Sequence, residues 1–406
     1  MKTSSHIFVG AFVLTIALSV TVANAGRIVA VGDVHGNFEG LTSILQETGV
    51  INAELKWVGG TATYVQLGDL FDRGEQVRET LDFLIRLQVE AEAAGGQVEC
   101  ILGNHETMNL TGFYRDANPE VYTSFVDAKS EKRRKKLWSA VKSYRSLRDE
   151  PTDGAALDAW MVEHPLGWVE YAKALEPKGI YGRWLRTLSV AMMIDGSLFL
   201  HGGLSPDVAG MSVAEINATV GSEMKTFDTA RHYLVSKSLV PPSASFTEIA
   251  DMVVAIKFWA DQEDSTDMIR RHADQLAPLV GIDEWLMMSP GGPLWFRGAT
   301  RWDEELQGEE MAALLDGVGA DVMVVGHTPD REGTIRVRFK NRVFLIDTGM
   351  LSSYYEGGRP SALEIDGGVF TAIYLDHREI LVGGEELEKA AEMIPGVREL
   401  RVAAAR

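Results

Sequence analysis

Short apolar runs that end next to glycine recur along this sequence, and they constrain its fold more than any other feature. These runs occupy residues 27–32, 63–67, 97–102, 198–200, 321–325 and 343–346. Runs of this length bounded by glycine predict buried β-strands. With 46% hydrophobic and 24% charged residues, the chain has the composition of an ordinary globular protein that can bury such strands.

Helical patterns lie between the predicted strands. Residues 38–48 predict a helix between the first two strands. Between the second and third, apolar residues recur at helical spacing over residues 77–85, and a pair of glycines at 95–96 ends that helix. Strands that alternate with helices indicate an α/β layered fold with right-handed crossovers.

Polar residues of types that bind metal ions follow five of these strands. In chain order they are Asp33, His35, Asp69, Asn104, His201 and His327. In open α/β sheets, ligands bind beyond the carboxyl ends of the strands. Glycines next to these residues allow the backbone to turn sharply there. The sequence therefore predicts that the six side chains meet at one edge of the sheet.

The chemistry of these side chains indicates a pair of metal ions. Oxygen and imidazole donors without a thiolate suit manganese, iron or zinc. Six donors exceed the needs of one four-coordinate ion, so two divalent ions that share a bridging carboxylate are predicted. Two metals about 3.5–4 Å apart lower the pKa of a bridging water toward about 7 and hold both oxygens of an in-line displacement. The predicted reaction is phosphoester hydrolysis.

Two long segments with a mainly helical pattern interrupt the alternation of strands and helices. They span about residues 111–179 and 205–290. Both lie between strands that carry candidate ligands. We therefore expect two helical insertions that form a cap over the metals and restrict access to them.

The motifs GDVHG, GDLFDRG, GNHE, HGG and GH, in this order, resemble those of the calcineurin-like metallophosphoesterases. The resemblance covers about residues 27–380. GDLFDRG together with GNHE is similar to the phosphoprotein phosphatase branch. Residues 1–25, which have the pattern of a bacterial signal peptide, and the segment PLWFRG at residues 293–298 are similar to the bacterial Shewanella-like phosphatases. The resemblance implies a metallophosphoesterase-type layered β-sandwich flanked by helices.

The resemblance also implies how the candidate ligands divide between the metals. The first metal would be held by Asp33, His35 and His327. The second would be held by Asn104 and His201, with Asp69 as the bridge.

A proton donor and phosphate-binding residues follow from the same resemblance. A metal-bridging hydroxide would attack the phosphorus directly, with His105 as general acid and Asp72 orienting its ring. Arg73, Arg297 and Asn104 would bind the phosphate. A guanidinium group suits this role because its fork matches two phosphate oxygens and keeps its charge at any accessible pH.

Several other polar residues are interpreted as structural. Asp347 ends a predicted strand, and Arg183 and Arg186 precede the fourth one. Cys100 lies inside a strand pattern and is interpreted as a small buried residue, not a nucleophile. As the single cysteine of the chain, it excludes an intrachain disulfide and a cysteine-based zinc cluster.

Residues 1–25 have the pattern of a secretory signal peptide. Lys2 precedes an uncharged run over residues 7–23, and Ala-Asn-Ala stands before Gly26. We expect cleavage before Gly26 and a single catalytic domain over residues 26–406. An exported protein, periplasmic or secreted, without stable membrane insertion after cleavage is therefore predicted.

The charge of the chain argues against nucleic-acid duplexes as partners. Asp and Glu number 58 against 39 Lys and Arg, for a formal net charge of −19. Such acidity repels a phosphate backbone.

A metal-dependent phosphoprotein phosphatase acting on phosphoserine, phosphothreonine or phosphotyrosine is the leading hypothesis. The alternative is a periplasmic hydrolase of small phosphoesters or nucleotides, similar to symmetrical diadenosine tetraphosphate hydrolases. Asp72 before Arg73 and Glu106 after His105 favour the phosphatase. Arg73 and His105 also disfavour a more distant alternative, a metal-binding scaffold without turnover. The sequence leaves open the residue class of the substrate, the metal and the oligomeric state.

Overall fold

Two β-sheets lie face to face at the centre of the protein. The structure is a computed structural model that describes residues 26–383 apart from residue 147, so the predicted signal peptide lies outside the described residues. The strands are β1 (Ile28–Val31), β2 (Thr63–Gln66), β3 (Gln97–Cys100), β4 (Ala191–Ile194), β5 (Ser197–Leu200), β6 (Val322–Val325), β7 (Arg336–Arg338), β8 (Val343–Leu345), β9 (Ser361–Asp366), β10 (Val369–Tyr374) and β11 (Arg378–Val382).

Each sheet has a parallel centre. The first sheet has the order β11-β10-β9-β1-β2-β3, and the second has the order β4-β5-β6-β8-β7. Strands β1, β2 and β3 are parallel, as are β5, β6 and β8, whereas the other pairs are antiparallel. The six predicted strands correspond to these parallel strands. Parallel strands direct their carboxyl ends to one edge, where the predicted site residues follow them.

Side chains along the strands alternate between two cores. Ala30, Val65 and Phe199 lie in the layer between the sheets, whereas Val29 and Tyr64 belong to the core under the helices. The alternation follows from the two-residue period of a strand. The predicted layered α/β fold is confirmed.

Helices cover the outer faces of the sheets and fill the two long segments. Their bounds are α1 (Phe38–Glu47), α2 (Val77–Ala93), α3 (Asn104–Leu110), α4 (Ser130–Ser146), α5 (Gly154–Glu163), α6 (Trp168–Leu175), α7 (Ile180–Leu185), α8 (Val213–Ser236), α9 (Phe246–Ala260), α10 (Asp267–Leu276), α11 (Gly298–Arg301) and α12 (Glu304–Val318). The helices predicted around residues 38–48 and 77–85 are α1 and α2.

The first insertion, residues 111–179, contains α4 to α6, and the second insertion, residues 205–290, contains α8 to α10. Ser212 and Ser245 begin α8 and α9 with capping boxes, in which a glutamate three residues later binds back to the serine. The rings of Phe113 and Phe246, 6.3 Å apart, join the two insertions. No helix in the described part of the chain has the length and apolarity needed to cross a membrane.

Candidate active site

The loops after β1, β2, β3, β5 and β6 bring the six predicted ligands together. All six residues are at most 5% exposed. Asp69 lies at the centre, with Oδ2 3.6 Å from His35 Nε2 and Oδ1 3.2 Å from His201 Nε2. Asp33 Oδ2 lies 3.8 Å from His35 Nε2, and Asn104 Oδ1 lies 3.0 Å from His201 Nε2. Asp69 therefore has the position that a bridging ligand requires.

His327 lies on the His201 side of the cluster. Donor atoms of His327, His201 and Asp69 are all within 4.8 Å of one another. The prediction assigned His327 to the metal held by Asp33 and His35, whereas this geometry favours the metal held by His201. The reason is topological: β6 pairs with β5, so the residues that follow these two strands are neighbours.

Backbone carbonyls orient three of the histidine rings. A carbonyl oxygen only accepts, so the ring nitrogen that contacts it donates a hydrogen and leaves the other nitrogen available to a metal. The pairs are His35 Nδ1 with Phe71 O (2.8 Å), His201 Nδ1 with Leu67 O (2.8 Å) and His327 Nε2 with Trp295 O (3.1 Å). Burial lowers the pKa of His35 and of His327, which favours the neutral ring that binds metals.

The charge balance of this region fits divalent cations. Burial lowers the pKa of His201, but the charges of Asp69 and Asp33 outweigh it and raise that pKa to about 10. These carboxylates therefore favour a positive charge between them. Five carboxyl groups are buried in this region, against two half-buried guanidinium groups, Arg73 and Arg297; the carboxyl groups are Asp33, Asp69, Asp72, Glu106 and Asp347. Because an excess of buried negative charge is costly, the donor set fits bound divalent metal ions.

The site includes residues with a strained backbone. Five non-glycine residues here have positive φ angles: His35 (47°), Asp69 (51°), Asp72 (69°), Arg73 (65°) and His327 (71°). Left-handed backbone is unfavourable for such residues and persists where surrounding contacts enforce it. The sharp turns after the strands aim these side chains into the site.

Glu106 fixes the backbone of Asp69 through hydrogen bonds to its carboxylate. Its carboxylate accepts N–H bonds from Asp69 (2.8 Å), Leu70 (2.7 Å) and Gly103 (2.6 Å). Burial and the charge of Asp69 raise the pKa of Glu106 to about 7, although the N–H groups act against this. At Gly103 a Cβ would lie 2.3 Å from Asp69 Oδ1, so only glycine allows this approach.

His105 lies beside the ligand cluster with its ring held on both sides. Nδ1 donates to Asp72 Oδ2 at 2.5 Å, and Nε2 lies 3.8 Å from Asp69 Oδ2. Burial lowers the pKa of His105, but the charges of Asp69 and Asp72 and the hydrogen bond to Asp72 outweigh it and raise that pKa. The ring is therefore poised to hold a proton at Nε2.

Asp72 is held by two residues that sequence reasoning missed. Asn109 Nδ2 donates to both carboxylate oxygens of Asp72 at 3.0 Å, and Asn109 Oδ1 accepts from the Tyr171 hydroxyl at 2.5 Å. Asn109 lies one helical turn after His105 in α3, which is a usable sequence signal. Tyr171 comes from α6 in the first insertion, and no local pattern predicts its role.

Arg73 is positioned by the first insertion and by two tyrosines. Its N–H donates to Asp116 O at 3.1 Å, while its guanidinium lies 5.1 Å from the Tyr354 ring centroid and bonds the Tyr355 hydroxyl. Nη1 also contacts His35 Nε2, and Nη2 lies 3.2 Å from His105 Nε2. The buried Nε has no partner among the described residues. A phosphate oxygen could accept a hydrogen bond from this Nε–H group.

Arg297 lies on the opposite side of the cluster, next to His327. Its Nη1 donates to His327 O at 2.9 Å and to Thr328 Oγ1 at 2.7 Å. In the described residues no hydrogen bond engages its Nε or Nη2. The side chain is therefore anchored through one nitrogen, and the other two are available to a ligand.

The remaining polar candidates have different surroundings. Arg186 pairs with Asp228 through two bonds of 2.7 and 2.8 Å, which fits the structural interpretation, while Arg183 is exposed on α7. Cys100 is buried, and burial raises the pKa of its thiol. Asp347 is 1% exposed and accepts from Gly349 N, and burial raises its pKa to about 6. It lines the wall of the site next to Asp33.

The sequence matches a family of known proteins. A sequence model described as calcineurin-like phosphoesterase matches residues 26–331. Shewanella-like protein phosphatase 1 of Plasmodium berghei is 26% identical over 86% of this chain and 74% of its own length. Shewanella-like protein phosphatase 2 of Arabidopsis thaliana is 29% identical over 51% of this chain and 54% of its own length.

A solved structure shows the same fold. The cold-active protein-tyrosine phosphatase of a psychrophilic Shewanella species is 22% identical, with a TM-score of 0.57 over 88% of this chain and 80% of that one. The matches confirm the predicted resemblance and the predicted enzyme class, a hydrolase of phosphoesters. Because the family model spans most of the sequence, this chain belongs to the calcineurin-like phosphoesterase family.

Proposed function

We propose that the protein is a metal-dependent phosphoprotein phosphatase that hydrolyses phosphomonoesters of serine, threonine or tyrosine side chains. The observation that supports the proposal most strongly is the position of His105. The His105 ring, bonded to Asp72, lies 3.2 Å from Arg73 and 3.8 Å from the Asp69 carboxylate. A proton donor, a phosphate-binding cation and a metal ligand thus share one small volume. The relatives named protein phosphatases support proteins as the substrate class.

The two arginines would hold the phosphate from opposite sides. Arg73 has a buried, unpartnered Nε, and Arg297 is anchored through Nη1 alone. Guanidinium groups bind phosphate oxygens through paired, charge-assisted hydrogen bonds. With the phosphate fixed between them, the ester oxygen that leaves would face His105.

His105 would protonate that leaving oxygen from Nε2. Asp72 accepts from Nδ1, which fixes the ring orientation and stabilises its charged form. The raised pKa of His105 keeps the proton available for transfer. General acid catalysis of this kind contributes about 10²–10⁴-fold.

The ligand cluster would hold two divalent ions, which we propose to be manganese, iron or zinc. Asp33, His35 and Asp69 would hold one, and Asp69 would also serve the other with Asn104, His201 and His327. Bound ions would neutralise the phosphate charge and activate a water molecule. Elemental analysis of protein purified without chelator would test the proposal, with about two ions per chain expected.

A competition among substrates tests the function. The purified protein, supplied with Mn²⁺, is given a phosphotyrosine peptide, a phosphoserine peptide and diadenosine tetraphosphate, and product release is followed. We expect kcat/KM for the better peptide to exceed that for the dinucleotide by about tenfold or more. A preference for the dinucleotide would overturn the proposal in favour of a nucleotide hydrolase. A metal-loaded protein without turnover would indicate a scaffold.

We also propose that the protein is exported, on the pattern of residues 1–25. Cleavage before Gly26 would release a chain that meets phosphoesters outside the cytoplasm. N-terminal sequencing of protein recovered from the native host is expected to begin at Gly26. A chain that retains residues 1–25 in the cytoplasmic fraction would refute export.

A further inference from the structure

A cavity of about 730 Å³ lies between the two insertions, and none of the six ligand residues lines it. Helices α4 and α5 of the first insertion form one wall, and α9 of the second insertion forms the other. The segment at residues 112–115, which follows α3, also lines it. We call this space the insertion cavity. Its volume is that of a site for a ligand larger than one side chain.

The insertion cavity reaches the edge of the catalytic site at Arg115. The next residue, Asp116, accepts the backbone N–H of Arg73 at 3.1 Å. Tyr354, whose ring lies 5.1 Å from the Arg73 guanidinium, is 60% exposed and close enough to Arg115 to interact with it electrostatically. A substrate polypeptide whose phosphate is bound at Arg73 can therefore extend past Tyr354 and Arg115 into the cavity.

Aromatic rings line much of the insertion cavity. Trp160, Trp168 and Tyr144 come from the first insertion, and Trp259, which is 46% exposed, comes from the second. The His164 ring stacks on Trp160 with centroids 4.2 Å apart. Trp160 and Trp168 are buried, whereas Tyr144 and Trp259 remain partly exposed, and exposed rigid rings of this kind provide contact area typical of binding surfaces.

Negative charge exceeds positive charge in the lining of the cavity, with four carboxylates against three guanidinium groups. Arg148 and Arg145 share Glu150, at 2.8 and 3.8 Å, and Arg115 pairs with Asp116 outside the lining. Glu163 and Asp251 also line the cavity, and within the described ranges neither has an ion pair. A basic group on a ligand would be attracted to these two carboxylates.

We propose that the insertion cavity binds the polypeptide segment next to the phosphorylated residue of the substrate. An aromatic or large apolar side chain would pack against Trp259, and a basic side chain would lie near Glu163 and Asp251. The inference rests on the proposed function, because a small phosphoester would end at the metal ligands whereas a polypeptide extends past Arg115. It adds a preference: substrates with aromatic and basic residues near the phosphorylation site.

Two phosphopeptides and one small ester test the proposal. The peptides share the phosphorylated residue and differ in flanks, one with tryptophan and arginine and the other with glycine and aspartate. p-Nitrophenyl phosphate serves as an ester that cannot reach the cavity. Wild-type KM is expected to be about tenfold lower for the aromatic, basic peptide.

The variants separate contact from folding. Trp259→Ala should raise KM for that peptide about tenfold with unchanged kcat, because it removes binding shared by ground and transition states. Phe258→Ala, at a residue 62% exposed on the same helix and outside the cavity lining, is the matched control. The double variant Glu163→Gln, Asp251→Asn should raise the same KM about threefold, with Asp158→Asn as its control.

The outcomes distinguish this inference from the function on which it rests. Unchanged peptide KM values in both cavity variants would overturn the cavity proposal while peptide hydrolysis continues. A parallel loss of p-nitrophenyl phosphate turnover would also overturn it, since Trp259 would then act on the catalytic site. If wild-type protein hydrolyses the small ester and neither peptide, the proposed function itself fails.

Discussion

The metal-ligand cluster and the insertion cavity differ in how the chain builds them. Every candidate ligand in the cluster follows one of the parallel strands and is buried. The cavity takes its residues from helices of two separate insertions, and several of its side chains are exposed. Sheet pairing fixes the first region, whereas the packing of two helical segments sets the second. Changes in the cluster should therefore affect every substrate, and changes in the cavity only those that reach it.

The largest effect is expected for Asp69→Asn. Both carboxylate oxygens of Asp69 face ligand histidines, so the amide removes the charge that both metals would share. We expect turnover of every phosphoester to fall about 10³-fold or more, with bound metal reduced. Phosphate release and elemental analysis measure this, with the exposed Asp264→Asn as the control. Full metal content and normal turnover in Asp69→Asn would exclude the bridging position.

A more selective loss is expected for His105→Asn. Serine leaves as a poor alkoxide that needs a proton, whereas a phenol, with a pKa of about 10, needs less help. Phosphoserine turnover should therefore fall about 10²-fold, and aryl phosphate turnover by less than about tenfold. The two rates are measured side by side on one preparation. Equal losses would remove His105 from the role of general acid.

The sequence predicts the six parallel strands, including the edge strand β3, but none of the antiparallel strands β4, β7, β9, β10 and β11. Parallel strands are buried on both faces and form continuous apolar runs. Two antiparallel strands at sheet edges lack that pattern: β7 is Arg-Val-Arg, and β11 has exposed residues at its first three positions. Antiparallel edges that face solvent on one side carry too few apolar residues to be recognised from composition alone.

The same distinction applies to the site. Its candidate ligands could be named from the sequence because each follows a parallel strand, and the carboxyl ends of such strands lie at one edge of the sheet. Tyr355 contacts Arg73 across 282 positions of sequence, and Tyr171 contacts Asn109 across 62. Both tyrosines lie in segments without a motif, so only tertiary packing shows their roles. The grouping of His327 with His201 likewise required the strand order of the second sheet.

Tyr171→Phe tests whether the first insertion supports the catalytic residues. Loss of the hydroxyl leaves Asn109 Oδ1 buried without its donor and loosens the Asn109–Asp72 contact. We expect phosphoserine turnover to fall about three- to tenfold, which corresponds to the net free energy of one hydrogen bond. Tyr122→Phe is the matched control, because its ring packs on Tyr171 at 5.2 Å but its hydroxyl does not bond Asn109. Similar rates in both variants would show that the insertion only packs against the core.

The smallest effect is expected at His164 and is measured as a change in stability. Burial lowers the pKa of His164 below its ordinary value of 6.5. As the pH falls below 6.5, the unfolded chain therefore binds a proton before the folded chain does, and stability decreases until the pH passes the folded pKa. His164→Gln should reduce the loss of Tm between pH 7.5 and pH 5.5 by about 1–2 °C. The exposed His232→Gln is the control, and an equal change in both variants would show that the packing around Trp160 tolerates the charged ring.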